Sequence, residues 1–411
     1  MISYEDAIDV VRQCGQAYRL GCEKVSLEKI AGRVSATEVM APMANQPFDN
    51  SAMDGYALLS DDLVRASHQR PVHLKIVGRI LAGEPAPLQA VEPGHCYEIM
   101  TGAPMPPGCD TVVAVENTEK QHEYAVFWAP SCIGSNVRLA GADFVQGELL
   151  LNAGTALTVN QILPLATLGI AEVDVMCRPR VAVLSTGLEV VDELGKTLKP
   201  GQIYNASAPY LREMLPALGA EADFFGTVAD EPEAFRGKLA EMLASKPDIL
   251  VTTGAVSAGV CDFIRAELEA QGAEILFHKV KMRPGKPLLF ARLADNGPFF
   301  IGLPGNPVAS AAGLRFFVYP LMRAMLGLPP ETPRRTVLKH GATSKKAEFR
   351  MFLRAVLQDE ANAIQQVEIL QKQQSFMVSA FMRANGWVVA AEGVAEISPG
   401  DLVDFFPFLP D

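Results

Sequence analysis

Between residues 179 and 326 the hydrophobic pattern alternates between two periods. Short apolar runs, "PRVAVLSTG", "ADFFGTV", "DILVTTG", "PLLFARL" and "PFFIGLPG", read as buried strands. Helical periodicity recurs between them at 207–218, 231–245, 261–271 and 307–326. Strands apolar throughout and separated by helices predict a parallel sheet wound on both faces. The glycine-containing turns after "VAVLSTG", "ILVTTG" and "FFIGLPG" then fall at carboxyl ends of strands, the edge at which open α/β sheets take ligands.

The flanking segments follow other patterns. Ser3 is placed to cap a first helix, with Asp6 three residues on and Ala7, Ile8 and Val11 on one face. Residues 35–60 lose helical period, and Pro42 and Pro47 favour an extended course. From about 70 to 150 the strands "VHLKIV", "TVVAV" and "YAVFW" alternate with turn clusters such as "TGAPMPPGCD", which predicts a small β-rich lobe. The run "ALTVNQILPLATLGIA" is interrupted by Asn160, Gln161, Pro164 and Gly169, so it reads as a buried helix and not as a membrane span. "GLPPETP" at 327–333 reads as a linker. The strands beyond it ("RRTVLKH", "FRMFLRAVL", "GWVVAA", "DLVDFF") predict a small barrel or sandwich.

Composition narrows the function classes. With 49% hydrophobic residues in 411, the chain can bury cores in several domains and is not disordered. A net charge of -11 opposes general attraction to nucleic acid or to an anionic membrane, so a bound anion needs a local patch. The seven cysteines are odd in number and scattered, with no C-x-x-C pair, which argues against a zinc site or disulfide framework. Together with the acidic start "MISYEDAIDVV", they predict a cytoplasmic protein without a signal peptide.

One local patch stands out. "KVKMRPGKPLLF" places Lys279, Lys281, Arg283 and Lys286 together without an acid among them, on backbone stiffened by Pro284 and Pro287. A solvated face is the usual fate of such runs, but an exposed ion pair is worth only about 0–1 kcal/mol. A cation about 4 Å from a phosphate gains about 4 kcal/mol at an effective dielectric of ~20, which favours an anion site. "TTGAVSAGVCDF" offers Gly254, Ser257 and Gly259 before a helix start, a turn that can aim N–H groups at an anion. In "GLPGNPVAS", Pro304, Gly305 and Pro307 form a rigid loop, and Asn306 is placed to cap the next helix. Asp54, Asp143, Glu189, Asp230 and Asp262 each sit in a turn or at an element end. Singly, Asp230 and Asp262 read as helix caps; together, hard oxygen ligands beside a phosphate site would suit Mg²⁺.

Six segments in this order, "PFDNSAMDGYA", "IMTGAPMPPGCDTVV", "VAVLSTGLE", "TTGAVSAGVCD", "PGKP" and "GLPGNPVAS", resemble the molybdopterin molybdenumtransferase family, which includes the E domain of gephyrin. The resemblance covers nearly the whole chain. It implies a multidomain α/β plus β protein: a helical and extended linking domain (1–45 and 146–178), a small β-rich lobe (46–145), a doubly wound molybdopterin-binding α/β domain (179–328) and a C-terminal β-barrel (329–411). It implies molybdenum insertion from molybdate into adenylylated molybdopterin, assisted by Mg²⁺, with release of AMP. A homodimer with a site shared between chains is also implied. Further partners would be the molybdopterin adenylyltransferase and molybdoenzyme-specific chaperones.

Carried over by position, Asp54, Glu189, Asp230, Asp262 and Lys279 are candidate catalytic residues, with Glu189, Asp230 and Asp262 as the metal ligands. Ligand binding falls to Thr101 and Asp143 in the small lobe, to Ser185, Thr186 and Gly187, to the turn with Gly254, Ser257 and Gly259, to Arg283 and Lys286, to the loop from Pro304 to Pro307, and to Arg354 and Ser375 in the barrel. The chain departs from the family pattern at Leu188 and Asn205, where aspartate is common, at Ala255 (glycine), Ser207 (asparagine) and Arg283 (more often lysine). Three readings compete: the transferase, a molybdopterin-binding or scaffold paralogue without turnover, and a nucleotide hydrolase. The intact segment around Asp54 disfavours the last.

Overall fold

A computed structural model describes residues 1–255, 263–293, 297–343, 347–358 and 365–410. The chain divides into two compact units, one of Met1–Glu23, Gly32–Val34 and Val175–Asp411, the other of Lys24–Ala31 and Ser35–Asp174.

The larger unit contains the doubly wound sheet. Its strands run in the order Glu221–Val228, Arg180–Thr186, Ile249–Thr253, Phe299–Leu303, Leu289–Arg292, Glu274–His278. The first four are mutually parallel, as the apolar runs predict. Leu289–Arg292 departs from that prediction and lies antiparallel to both neighbours. The cause is the connection after it, residues 293–298, which is too short for the crossover that parallel strands require. Helices Pro232–Ala244 and Ile264–Ala270 pack through Phe235, Leu239, Ile264 and Leu268 onto one face. Helix Ser207–Ala217 and the long helix from Pro307 to Met325 cover the other. The first helix, Tyr4–Ala17, starts as its sequence indicates, with the Ser3 hydroxyl accepting from the Asp6 amide at 3.1 Å. Its Ala7, Ile8 and Val11 face joins this same core.

The C-terminal strands close into a barrel. Arg350–Gln358 pairs with Gln366–Ile369, which pairs with Arg334–Leu338, Leu402–Pro407, Gly386–Ala390 and so back to Arg350–Gln358. Closure leaves no sheet edge to protect and resolves the barrel-or-sandwich alternative. Phe352, Trp387 and Val389 belong to the α/β core, with the Phe316 and Phe352 rings 4.2 Å apart. Arg315, buried beneath the linker, is held by both Glu331 oxygens at 2.6 and 2.7 Å.

The second unit is built on a six-stranded sheet ordered Thr111–Ala114, Gly55–Leu58, His95–Ile99, Val72–Ile80, Tyr124–Phe127, Thr118–Gln121. The run predicted as a buried helix is shorter and less buried than expected. A turn at Val159–Gln161 leads into helix Ile162–Thr167, and while Leu157, Leu165 and Leu168 are buried, Leu163 is 76% exposed. Pro164, in the first turn, keeps the helix from starting earlier, and Gly169 (φ +73°) follows its end, so the segment is short and only one face reaches the core. Among the described residues, no helix is long and apolar enough to cross a membrane.

Candidate active site

The topological switch point of the larger unit lies between Arg180–Thr186 and Ile249–Thr253, because the next strand in sequence after each lies on opposite sides. The strand ends are stitched together there: Gly187 donates to the Val228 carbonyl at 3.0 Å, and Gly254 to the Leu303 carbonyl at 3.0 Å. Gly254 (φ +101°) is a position that only glycine fits, since an added Cβ would come within 2.5 Å of Thr186 Oγ1. These ends open on a cavity of about 390 Å³ lined by Ser185, Thr186, Glu189, Asp230, Gly254 and the loop from Pro304 to Pro307.

Asp230 is the most informative side chain in this cavity. It follows the carboxyl end of Glu221–Val228, and it is not a helix cap, because the N-cap of the next helix is Glu231. Among the described residues, its Oδ1 is buried without a hydrogen-bond partner. Burial pushes its carboxyl above the usual range, the nearby Thr186 hydroxyl pulls it back, and the neighbouring Glu189 charge pushes it up again. A buried acceptor without a donor is costly, so an incoming cation or proton is the natural partner. Glu189 and Asp230 are therefore a fitting start to a hard-cation site. Asp262, the third predicted ligand, lies outside the described residues, as do Ser257 and Gly259. Among the described residues, no three His, Cys, Asp or Glu side chains form a metal-ligating group.

Pro287, Pro304 and Asn306 also line a second cavity of about 850 Å³, so the two share walls. The second runs from Arg283 and Lys286 to Phe349, Ser375 and Phe376 of the barrel. Asn306 sits at the N-cap of the helix that starts at Pro307, but its side chain makes no cap bond, contrary to expectation. Its carbonyl takes the Ala309 and Ser310 amides instead, at 2.9 Å each, which leaves the amide side chain to the cavities. Among the described residues, none of Lys279, Lys281, Arg283 and Lys286 has a carboxylate within 4.0 Å. Arg283 and Lys286 are exposed on the cavity wall. Lys279 lines neither cavity. Strand register places it at the carboxyl edge, directly after the His278–Leu289 pair, half-buried and with φ +70°.

Arg354 is placed differently from a ligand residue. It is 0% exposed, lines neither cavity, and donates to the carbonyls of Lys372 (2.9 Å) and Met377 (2.5 Å) and to the Gln373 side chain. Burial pushes its guanidinium down to about 10. Its work is to hold the loop that presents Ser375.

In the second unit, Asp54 and Thr101 come together. Asp54 Oδ1 accepts from the Thr101 amide and hydroxyl, both at 2.7 Å, and these two donors hold the carboxyl below its ordinary value. The segment around them is pinned from both sides: Ser51 pairs with Val137, and Gly102 donates to the Ser51 carbonyl at 2.8 Å. Asp143 is exposed and accepts from the Asn45 amide at 2.9 Å.

The structure bears on three of the expected departures, at Leu188, Ala255 and Asn205. Leu188 is 72% exposed, so it removes a charge without filling a pocket. Ala255 holds φ +49°, a left-handed conformation that glycine adopts at least cost. Asn205 is 4% exposed and donates to Ser185 and Asp192. Asp192 and Thr227 belong to the same polar group, as does Thr253 of the glycine turn, and the first two were not singled out from the sequence. The one signal for them was an amide at 205, which needs an acceptor.

A doubly wound α/β unit with an acidic switch-point cavity, joined to a closed barrel whose loop lines an adjoining cavity, defines a ligand-processing protein of one recognisable build. Three family models match in order: the MoeA N-terminal region (domains I and II) over residues 2–169, a probable molybdopterin binding domain over 182–324, and the MoeA C-terminal region (domain IV) over 338–408. The molybdopterin molybdenumtransferase of Synechococcus elongatus is 40% identical over 79% of this chain and 80% of its own. That of Haemophilus influenzae is 33% identical over 94% of each. A solved molybdopterin biosynthesis MoeA protein from Pyrococcus horikosii superposes with a TM-score of 0.86 at 31% identity over 99% of both chains. The chain belongs to the molybdopterin molybdenumtransferase family.

Proposed function

We propose that this protein is a transferase of molybdenum cofactor biosynthesis, which inserts molybdenum from molybdate into adenylylated molybdopterin and releases AMP. The observation that carries the reading is the buried, unpartnered Asp230 oxygen beside Glu189, at the edge where an α/β sheet takes its ligand. In this reading, the Gly187 and Gly254 turns leave room for the substrate's phosphates, and the loop from Pro304 to Pro307 gives the cavity a rigid wall. Glu189 and Asp230, with Asp262, hold Mg²⁺. A cation held there would supply charge neutralisation at the phosphoanhydride that links molybdopterin phosphate to AMP. Arg283 and Lys286 raise the local concentration of anions, molybdate and pterin phosphate, against the overall charge of -11. Lys279 stands at the same edge as a further cation.

The protein acts as a cytoplasmic homodimer, with Asp54, Thr101 and Asp143 of one copy completing the cleft of the other. The molybdopterin adenylyltransferase would deliver the substrate, and molybdoenzyme-specific chaperones would take the product. A binding or scaffold role without turnover is favoured by one feature, the exposed Leu188 in place of a carboxylate. The retained Glu189 and Asp230 pair weighs more, because a passive binder of a polyanion gains nothing from two uncompensated acids. Titration of adenylylated molybdopterin in Mg²⁺ buffer separates the two. The transferase releases AMP once molybdate is added, whereas a scaffold holds the intact nucleotide.

A further inference from the structure

Across the carboxyl ends of three neighbouring strands runs a continuous chain of polar side chains. Thr253 Oγ1 donates to Ser185 Oγ at 3.0 Å. Asn205 Nδ2 donates to the same Ser185 oxygen at 2.9 Å and to Asp192 Oδ1 at 2.8 Å. Thr227 Oγ1 donates to that Asp192 oxygen at 2.6 Å. On its other side, Asn205 Oδ1 accepts from the Ala208 amide at 3.0 Å. The neighbours dictate how the amide is turned. A flipped amide would press its oxygen against the Asp192 carboxylate and its NH₂ against the Ala208 N–H.

The main chain of the same residue completes a clamp. Asn205 N donates to the Val191 carbonyl at 2.8 Å, and Ile203 N donates to the Glu189 carbonyl at 2.8 Å. The turn that carries Glu189 into the cavity is thus held from backbone and side chain together. An aspartate at 205 would set a second carboxylate oxygen about where Nδ2 now lies. That oxygen would be in contact with Asp192 and have no proton between them.

We infer that Asn205 and Asp192 form a positioning pair that holds the Glu189 turn at the switch-point cavity, and that residue 205 is an amide because the pair's single carboxylate stands at 192. What Glu189 is positioned for rests on the proposed function; the pairing itself does not. Exchanging the two roles keeps net charge and the number of donors and acceptors. In the exchanged pair, a carboxylate at position 205 would accept from an amide at position 192 and still accept the Ala208 N–H, while the Ser185 and Thr227 hydroxyls rotate to suit.

The test compares Asn205→Asp, Asp192→Asn and the double variant in the full-length protein. Three readouts are taken: melting temperature, hydrogen exchange at the Ile203 and Asn205 amides, and AMP release with its kcat and KM. Asn205→Asp is expected to melt lower, to speed exchange at both amides by about tenfold or more, and to cut kcat about 10- to 100-fold with KM changed less. The double variant should return melting temperature and exchange to wild-type values and recover most of the turnover. Failure of the double variant to restore exchange, or wild-type exchange in Asn205→Asp, overturns the pairing. Restored exchange and melting with kcat still as low as in the single variant overturns the positioning role. Were wild-type protein to release no AMP, the proposed function would fall while exchange and melting still decided the pairing. Should Asn205→Asp fail to fold, Asn205→Ser, which removes the amide without adding charge, is read for faster exchange at Ile203. Unchanged exchange there overturns the clamp.

Discussion

Replacing Asp230 by asparagine asks whether the acid is kept for a cation. Among the described residues its Oδ1 is buried and unpaired, a condition that costs about 1–3 kcal/mol for a polar atom. Asparagine has nearly the same shape and carries no charge to desolvate, so Asp230→Asn should leave the Mg²⁺-free protein as stable as wild type or about 1 kcal/mol more so. The cation contributes the opposite term. At free Mg²⁺ tenfold above Kd, binding stabilises the folded state by about 1.4 kcal/mol, and at a hundredfold by about 2.7 kcal/mol. At about 2 °C per kcal/mol for a unit of this size, wild type should gain about 3–5 °C between chelator and saturating Mg²⁺, and Asp230→Asn less than about 1 °C. The pH dependence follows from the raised carboxyl. With its folded pKa above the unfolded value, Asp230 contributes stability that is present at low pH and lost as pH rises through the folded pKa. Mg²⁺ requires the ionised form, so its increment should grow over the same window, and both slopes should disappear in Asp230→Asn. Scanning calorimetry without and with Mg²⁺, from just below the ordinary aspartate value upward to neutral pH, measures all of this. A full Mg²⁺ increment retained in Asp230→Asn would refute the assignment.

Other substitutions probe the rest of the account. Ala255→Gly relieves a left-handed alanine, and with about 1–2 kcal/mol of strain set against about 0.5–1 kcal/mol of added chain entropy, chemical denaturation should show a gain of up to about 1.5 kcal/mol. Arg354→Leu leaves the carbonyls of Lys372 and Met377 without donors, so it should cost about 3 kcal/mol or more in urea unfolding and weaken ligand binding through the loop that carries Ser375. Mixing an Asp54→Ala chain with an Asp262→Ala chain should restore part of the lost turnover through hybrid dimers with one intact site, and verified hybrids without recovery would count against a site shared between chains.

The strands of the α/β sheet and the switch-point turns were legible because each depends on local pattern, an apolar run or a glycine, whereas Asp230 read singly as a helix cap and the cap is Glu231. What escaped depends on partners distant in sequence. The antiparallel Leu289–Arg292 strand has the same apolar composition as its parallel neighbours, and only the short connection after it sets its direction. Asn306 looked like a cap because its residue type and spacing are right, yet the helix start is satisfied by its backbone. Arg354 sits in a β-pattern that cannot reveal whether a cation faces a ligand or three loop carbonyls. Asn205 stood out only as a departure, and its meaning required Asp192, Ser185 and Thr227, which three different strand ends bring together.

The central claim, that the switch-point cavity and its acids carry out molybdenum transfer, is tested most directly by stoichiometry in a single turnover. Purified protein is loaded with adenylylated molybdopterin, excess molybdate and Mg²⁺ are added, and released AMP and protein- or pterin-bound molybdenum are counted from the same sample. The account predicts one molybdenum incorporated per AMP released, with both reduced together in Asp230→Asn. AMP released without molybdenum, or molybdenum bound while the nucleotide stays intact, would contradict it.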